Sequence, residues 1–122
     1  MFIHSWFSGI EHEVVIRPGE EPEEAMQRYF ARRGYEVHEV TGAKDVWLLV
    51  RGDEKRVLVV KDWRRPVGYN IILEAINLSE KFGCTGPPVV LARKFAPGAK
   101  EAARRWGAEL GVLLGPSREG AG

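Results

Sequence analysis

Cysteine is all but missing from this chain: Cys84 stands alone, so no disulfide can form within it. Its place between Gly83 and Gly86 reads as a loop thiol rather than a metal or catalytic site, and it fits a reducing cytosol. Long apolar runs are missing too. No segment approaches the roughly 20 residues that span a bilayer, and Met1 to Ile10 has neither the basic flank nor the long apolar centre of a secretory signal. Excess charge of either sign is small, at +1 net, so bulk composition gives no argument for a nucleic-acid partner. The few histidines, His4, His12 and His38, have no ligand-type spacing and read as incidental.

What is present is a chain of 122 residues, 44% hydrophobic, which suffices for one compact core and not for two. Its charges are sorted along its length. Glu11, Glu13, Glu20, Glu21, Glu23 and Glu24 load the beginning with acid, whereas Lys55, Arg56, Lys61, Arg64 and Arg65, then Arg93, Lys94, Lys100, Arg104 and Arg105, load later stretches with base. Solvated helix faces and strand ends would account for such clusters.

Patterning supplies the elements. A β-branched run at His12 to Arg17, ended by Pro18-Gly19, predicts an accessory strand or hairpin over residues 1–19. Pro22 suits a first helical residue, Ala25, Met26, Tyr29 and Phe30 share a helical face, and Gly34 ends that helix. Strands follow at Tyr35 to Thr41, Val46 to Val50 and Val57 to Val60, the last two joined as a hairpin through Gly52-Asp53-Glu54. A helix from Tyr69 to Phe82 closes at Gly83, and Pro88 to Leu91 is a buried-type strand. Pro97 to Trp106 is an alanine-rich helix, and Leu110 to Leu114 is the last strand. Continuous apolar strands imply cover on both faces, so the order predicts an α/β domain at 20–114 with a mixed sheet between helices. Gly115 to Gly122 is polar and glycine-rich, as a loose tail would be.

Three charged groups are spaced so that one end of the sheet gathers them: an acid on the first helix, Glu23 or Glu24; Asp45 at the head of one central strand; and Lys61 at the end of its hairpin partner. Phosphodiester hydrolysis uses carboxylates to hold a divalent cation and a lysine to orient water or stabilise charge, so the set is chemically coherent. Taken singly, a turn-capping aspartate, a solvated strand-end lysine and a glutamate on a helix dipole explain each residue.

The ordered stretch Glu23-x-x-Met26-x-x-Tyr29-Phe30-x-x-x-Gly34-Tyr35, then Asp45, then Val57-Leu58-Val59-Val60-Lys61-Asp62-Trp63, resembles the catalytic domain of Mrr-type restriction endonucleases in the PD-(D/E)xK superfamily. Pro66-Val67-Gly68, Val89-Val90-Leu91 and Phe95-Ala96-x-x-Ala99-x-x-Ala102 continue the resemblance, which covers roughly residues 20 to 114. It implies a restriction-endonuclease-like three-layer fold, with Glu23 as the helix acid, Asp45 as principal metal ligand, Lys61 as catalytic lysine, and magnesium or manganese as cofactor. DNA would be the partner, with a homodimer addressing two strands.

The pattern departs at Val59, where the family carries glutamate or glutamine two residues before the lysine. Valine cannot bind a cation, so the resemblance implies a weak or impaired metal-dependent DNA endonuclease, and Val59→Glu is expected to raise metal affinity. Glu74 on the following helix is a candidate replacement ligand, against the ordinary reading of an exposed helix glutamate. Trp63, Arg64 and Arg65 are candidate nucleic-acid contacts, the arginines on phosphates and the indole stacked, against a core-plugging indole beside two solvated arginines. A non-catalytic dimeric protein-interaction module and a Holliday-junction-resolvase-like nuclease, which shares the acid, aspartate and lysine plan, are the rival readings.

Overall fold

The computed structural model describes residues 9–116, so His4, most of the opening stretch and the tail beyond Pro116 lie outside the described residues. Strand β1 (Ile10–Val15) precedes helix α1 (Pro22–Ala31), and strands β2 (Glu36–Glu39), β3 (Val46–Arg51) and β4 (Glu54–Lys61) follow. Helix α2 (Tyr69–Lys81), strand β5 (Val89–Ala92), helix α3 (Pro97–Trp106) and strand β6 (Glu109–Leu114) complete the order. One six-stranded sheet holds all the strands, in the order β1-β6-β5-β4-β3-β2. Strands β4, β5, β6 and β1 are mutually parallel, and β3 and β2 run antiparallel to their neighbours. The sheet is therefore mixed, as the alternation of elements predicts.

Side-chain parity divides the core between the two faces. Leu58 and Val60 of β4 join Leu91, Leu113, Trp47 and Leu49 beneath Ala25, Met26 and Phe30 of α1. Val59 points the other way, with Val90 and Leu110, beneath Ile71, Ile72 and Ala75 of α2 and Ala99, Ala102 and Ala103 of α3. Three layers result. Phe30 is fully buried, and truncating such a side chain to alanine costs about 3–5 kcal/mol.

Local signals fix the element ends. Glu21 N donates to Glu24 Oε1 at 2.8 Å, tying off the start of α1, and Pro22 supplies the first helical residue. Gly107 ends α3 in the left-handed region at φ 85°, where its N–H donates to Ala103 O. Gly52, at φ 60°, turns β3 into β4 so that Arg51 pairs with Glu54.

Of the strand or hairpin expected over residues 1–19, the described residues show a strand. It lies parallel against β6 as an edge of the main sheet, with its register shifted between Ile10 and His12 and with Glu11 and Glu13 exposed. Nor are the first tail residues loose, because Arg93 donates from Nη1 to Gly115 O at 2.5 Å and from Nη2 to Pro116 O at 2.8 Å.

Candidate functional site

The carboxyl ends of β4, β5 and β6 open on one side of the molecule, and the head of β3 is delivered to that same side by the hairpin. Asp45 arrives there in a left-handed conformation, φ 69°, the one described non-glycine residue with positive φ. Aspartate tolerates that region better than most residues, but holding it there costs of order 1 kcal/mol, and such conformations cluster at functional positions. The Asp45 carbonyl accepts from Val60 N at 2.9 Å, which locks the turn to β4.

Asp45 Oδ2 stands 3.4 Å from Lys61 Nζ, with the lysine side chain 15% exposed and the aspartate side chain 35% exposed. The two therefore meet on one rim, as their spacing predicts. A shallow cleft of about 260 Å³ adjoins Asp45, lined by Glu23, Glu39, Val40, Ala43, Lys44, Asp45, Val46 and Trp47; Lys61 meets Asp45 but does not line it. The structure thereby separates the two helix acids: Glu24 caps α1, whereas Glu23 faces the cleft. Glu39 and Lys44 were not foreseen. The register that sets Glu39 opposite Trp47 is what brings that glutamate to the cleft, and a four-residue strand leaves little pattern to read.

The remaining candidates are placed as follows. Glu74 is exposed on α2 and does not line the cleft. Asp62 points away from Lys61 and accepts from Arg93 Nε at 2.7 Å. Trp63 is half-buried against the α2–α3 core, with the Arg65 guanidinium 4.1 Å and the Lys61 ammonium 5.2 Å from its ring centre. Arg64 and Arg65 are exposed. Val59 is fully buried beneath α2 and α3.

Among the described residues no three His, Cys, Asp or Glu side chains converge to hold a metal ion. Magnesium uses near-octahedral oxygen coordination, and Glu23, Glu39 and Asp45, although they line one cleft, are not gathered into such a group. Among the described residues, the side chains as placed do not form a ready-made cage for a resident metal.

The opposite end of the sheet carries a different cluster. Arg56, 6% exposed, places Nη2 2.5 Å from Glu109 Oε1, donates from Nε to Pro87 O at 2.8 Å and from Nη1 to Tyr35 Oη at 3.1 Å. His12 Nε2 lies 2.8 Å from Glu109 Oε1, and His12 Nδ1 lies 2.8 Å from Tyr29 Oη. The hydrogen bond with His12, then that with Arg56, outweighs burial and holds the Glu109 carboxyl at about 2. Arg56 is thus no solvated basic residue and His12 is not incidental. Both join strands across the fold, far from the cleft.

Comparison with known proteins agrees with this architecture. The family profile described as restriction endonuclease matches residues 18–114. A complex of EndoMS with dsDNA shares the fold at a TM-score of 0.57 and 21% identity, over 80% of this chain and 46% of that one. Apo EndoMS gives 0.54 and 20%, over 78% and 47%. The chain thus spans less than half the length of these structures. No curated protein matches it. With most of its length inside the family span, the chain belongs to the restriction endonuclease family, in its Mrr-type catalytic-domain branch.

Proposed function

We propose that this chain is a DNA-binding, nuclease-like domain in which strand cleavage is feeble or lost. The observation that carries the reading is the Asp45–Lys61 pair on the sheet rim, whose aspartate lines a cleft together with Glu23. Restriction endonuclease domains generally use divalent metals, magnesium or manganese in this reading, yet Val59 is sealed in the core and the remaining acids do not form a cage. Binding survives such a loss better than cleavage does. An ammonium has three donors, and a 3.4 Å contact is long beside the roughly 2.7–2.9 Å of a strong charge-assisted bond, so Lys61 can take a phosphate oxygen while keeping Asp45 near.

Exposed Arg64 and Arg65 would hold flanking phosphates, with Trp63 as the support beneath Arg65. A homodimer belongs to this reading, because one domain with one rim addresses one strand of a duplex. So does a reducing cytoplasm, which the lone thiol suits.

The test is binding and cleavage of plasmid, linear duplex and four-way junction DNA with magnesium or manganese. Salt-sensitive binding with little nicking is expected, since phosphate contacts release counterions. Any residual nicking should vanish in both Asp45→Asn and Lys61→Ala. Rapid wild-type cleavage would refute the impairment, preference for the junction would favour the resolvase-like reading, and no binding at low salt would leave the protein-interaction module.

A further inference from the structure

Positive charge on the rim extends well beyond Lys61. The loop from β4 to α2 and the loop from β5 to α3 are fastened together: Val67 N donates to Lys94 O at 2.9 Å, Ala96 N donates to Val67 O at 2.9 Å, and Val67 and Phe95 form a parallel bridge. Gly98 lies against Tyr69, where a Cβ on the glycine would stand 4.0 Å from the Tyr69 Cβ. Helices α2 and α3 therefore start side by side, directly beyond the strand that ends in Lys61.

This shared edge exposes Arg64, Arg65, Lys94 and Lys100. None of these is ion-paired among the described residues, in contrast to Arg93, which Asp62 and the Gly115 and Pro116 carbonyls occupy. The acids closest in sequence do little to cancel the charge. Neither α2 nor α3 has an acid in its first turn, Asp62 is held by Arg93, and Glu101 is paired with Arg104. Tyr69 stands among these cations 60% exposed, its hydroxyl without a partner among the described residues. It is the aromatic ring on this edge that is free to meet a ligand, because Trp63 is packed below and covered by cations.

We infer that this two-loop edge is a second nucleic-acid contact, in which Arg64, Lys94 and Lys100 seat the sugar–phosphate backbone flanking the Asp45–Lys61 pair and Tyr69 packs on a sugar or base face. Unopposed cations spread over two fixed loops suit a linear polyanion with regularly spaced charges. An aromatic ring among them adds contact that a free anion would not use. The inference rests on the DNA-binding reading above and assigns its specificity-independent affinity to residues outside the cleft.

The experiment is fluorescence anisotropy of a labelled 20-base-pair duplex, titrated at several salt concentrations. It compares the intact chain with Arg64→Ala/Lys94→Ala/Lys100→Ala, Tyr69→Ala and, as a basic control on the far end of α3, Arg105→Ala. Each phosphate contact contributes about 0.9 to the slope of log K against log salt, so the triple variant should flatten it by about 2.7, with Arg105→Ala unchanged. Tyr69→Ala should weaken binding roughly 5-fold or more with the slope preserved, as lost stacking does. Circular dichroism melting checks that the variants remain folded. If the triple variant keeps the wild-type slope while Lys61→Ala loses affinity, the edge is not the contact and the DNA reading stands. If the intact chain binds no duplex even at low salt, the DNA reading itself falls. Polyglutamate competing as effectively as DNA would also overturn the assignment, by making the edge a seat for acidic protein.

Discussion

Putting glutamate back at position 59 should first break the fold and only then, if at all, repair the site. Val59 is 0% exposed and packs among Val67, Ile72 and Val90, so a carboxyl placed there loses its water without gaining a partner. Buried glutamates reach pKa values of about 8–9, roughly four units above the unfolded value, which at about 1.4 kcal/mol per unit is roughly 5 kcal/mol lost near pH 8. That is a large share of the ~5–15 kcal/mol that domains possess. Because the folded-state pKa is raised, the penalty grows as pH rises from the unfolded pKa to the folded one and fades on acidification through the same window. Urea unfolding followed by tryptophan fluorescence should show Val59→Glu much weakened at pH 8 and closer to wild type at pH 5.5. Val59→Gln, with the same bulk and no charge, should be damaged equally at both. Manganese should restore part of the Val59→Glu loss if the carboxylate can swing to the rim, since a ligand that binds only the folded state stabilises it. Wild-type stability of metal-free Val59→Glu at pH 8 would refute the account of a sealed position.

Four further outcomes are expected. Glu109, held at about 2, contributes stability that is complete above the unfolded carboxylate pKa and is lost as pH falls from about 4.5 toward 2, roughly 2–3 kcal/mol in all; acid titration of stability should lose that limb in Glu109→Gln. Arg56→Met should cost about 3–5 kcal/mol by leaving Glu109 without its guanidinium, measured as a urea midpoint shift. Gly111→Ala should destabilise by about 1–3 kcal/mol, since a Cβ there would stand 2.4 Å from Leu91 Cδ2 and 2.9 Å from His12 Cβ, and thermal melting will report it. Trp47→Phe should cost no more than about 1–2 kcal/mol, because the buried Trp47 Nε1 has no hydrogen-bond partner among the described residues to lose and only part of the ring volume is removed, and thermal melting will report it.

The elements that announced themselves did so through short-range chemistry. Pro22 and Pro97 open their helices, Gly107 closes one, and the apolar runs around Leu49 and Leu58 form the central hairpin. The Asp45–Lys61 contact was readable for the same reason: strand heads and hairpin partners fix which end of a sheet a residue reaches, so the two had to meet or fail together. What escaped was long-range. His12 and Glu109 are 97 residues apart in sequence and Arg56 and Pro87 are 31 apart, and nothing local to these residues marks them as bonded. Glu74 failed to reach the cleft because the inward stripe of α2 is already filled by Ile71, Ile72 and Ala75. The choice between Glu23 and Glu24 needed the first-turn geometry, which a one-residue difference in phase decides.

Strand β1 precedes the stretch shared with the restriction endonucleases, and its presence changes how this domain can meet others. Its outward carboxylates and broken register make that flank a poor template for a neighbour's backbone, while at the far flank β2 offers only four residues, three of them charged or imidazole-bearing and exposed. Among the described residues, growth by sheet continuation is thus discouraged at both margins. A second copy, or a domain lying elsewhere in a longer polypeptide, is left to approach through the helical layers or over the basic loops.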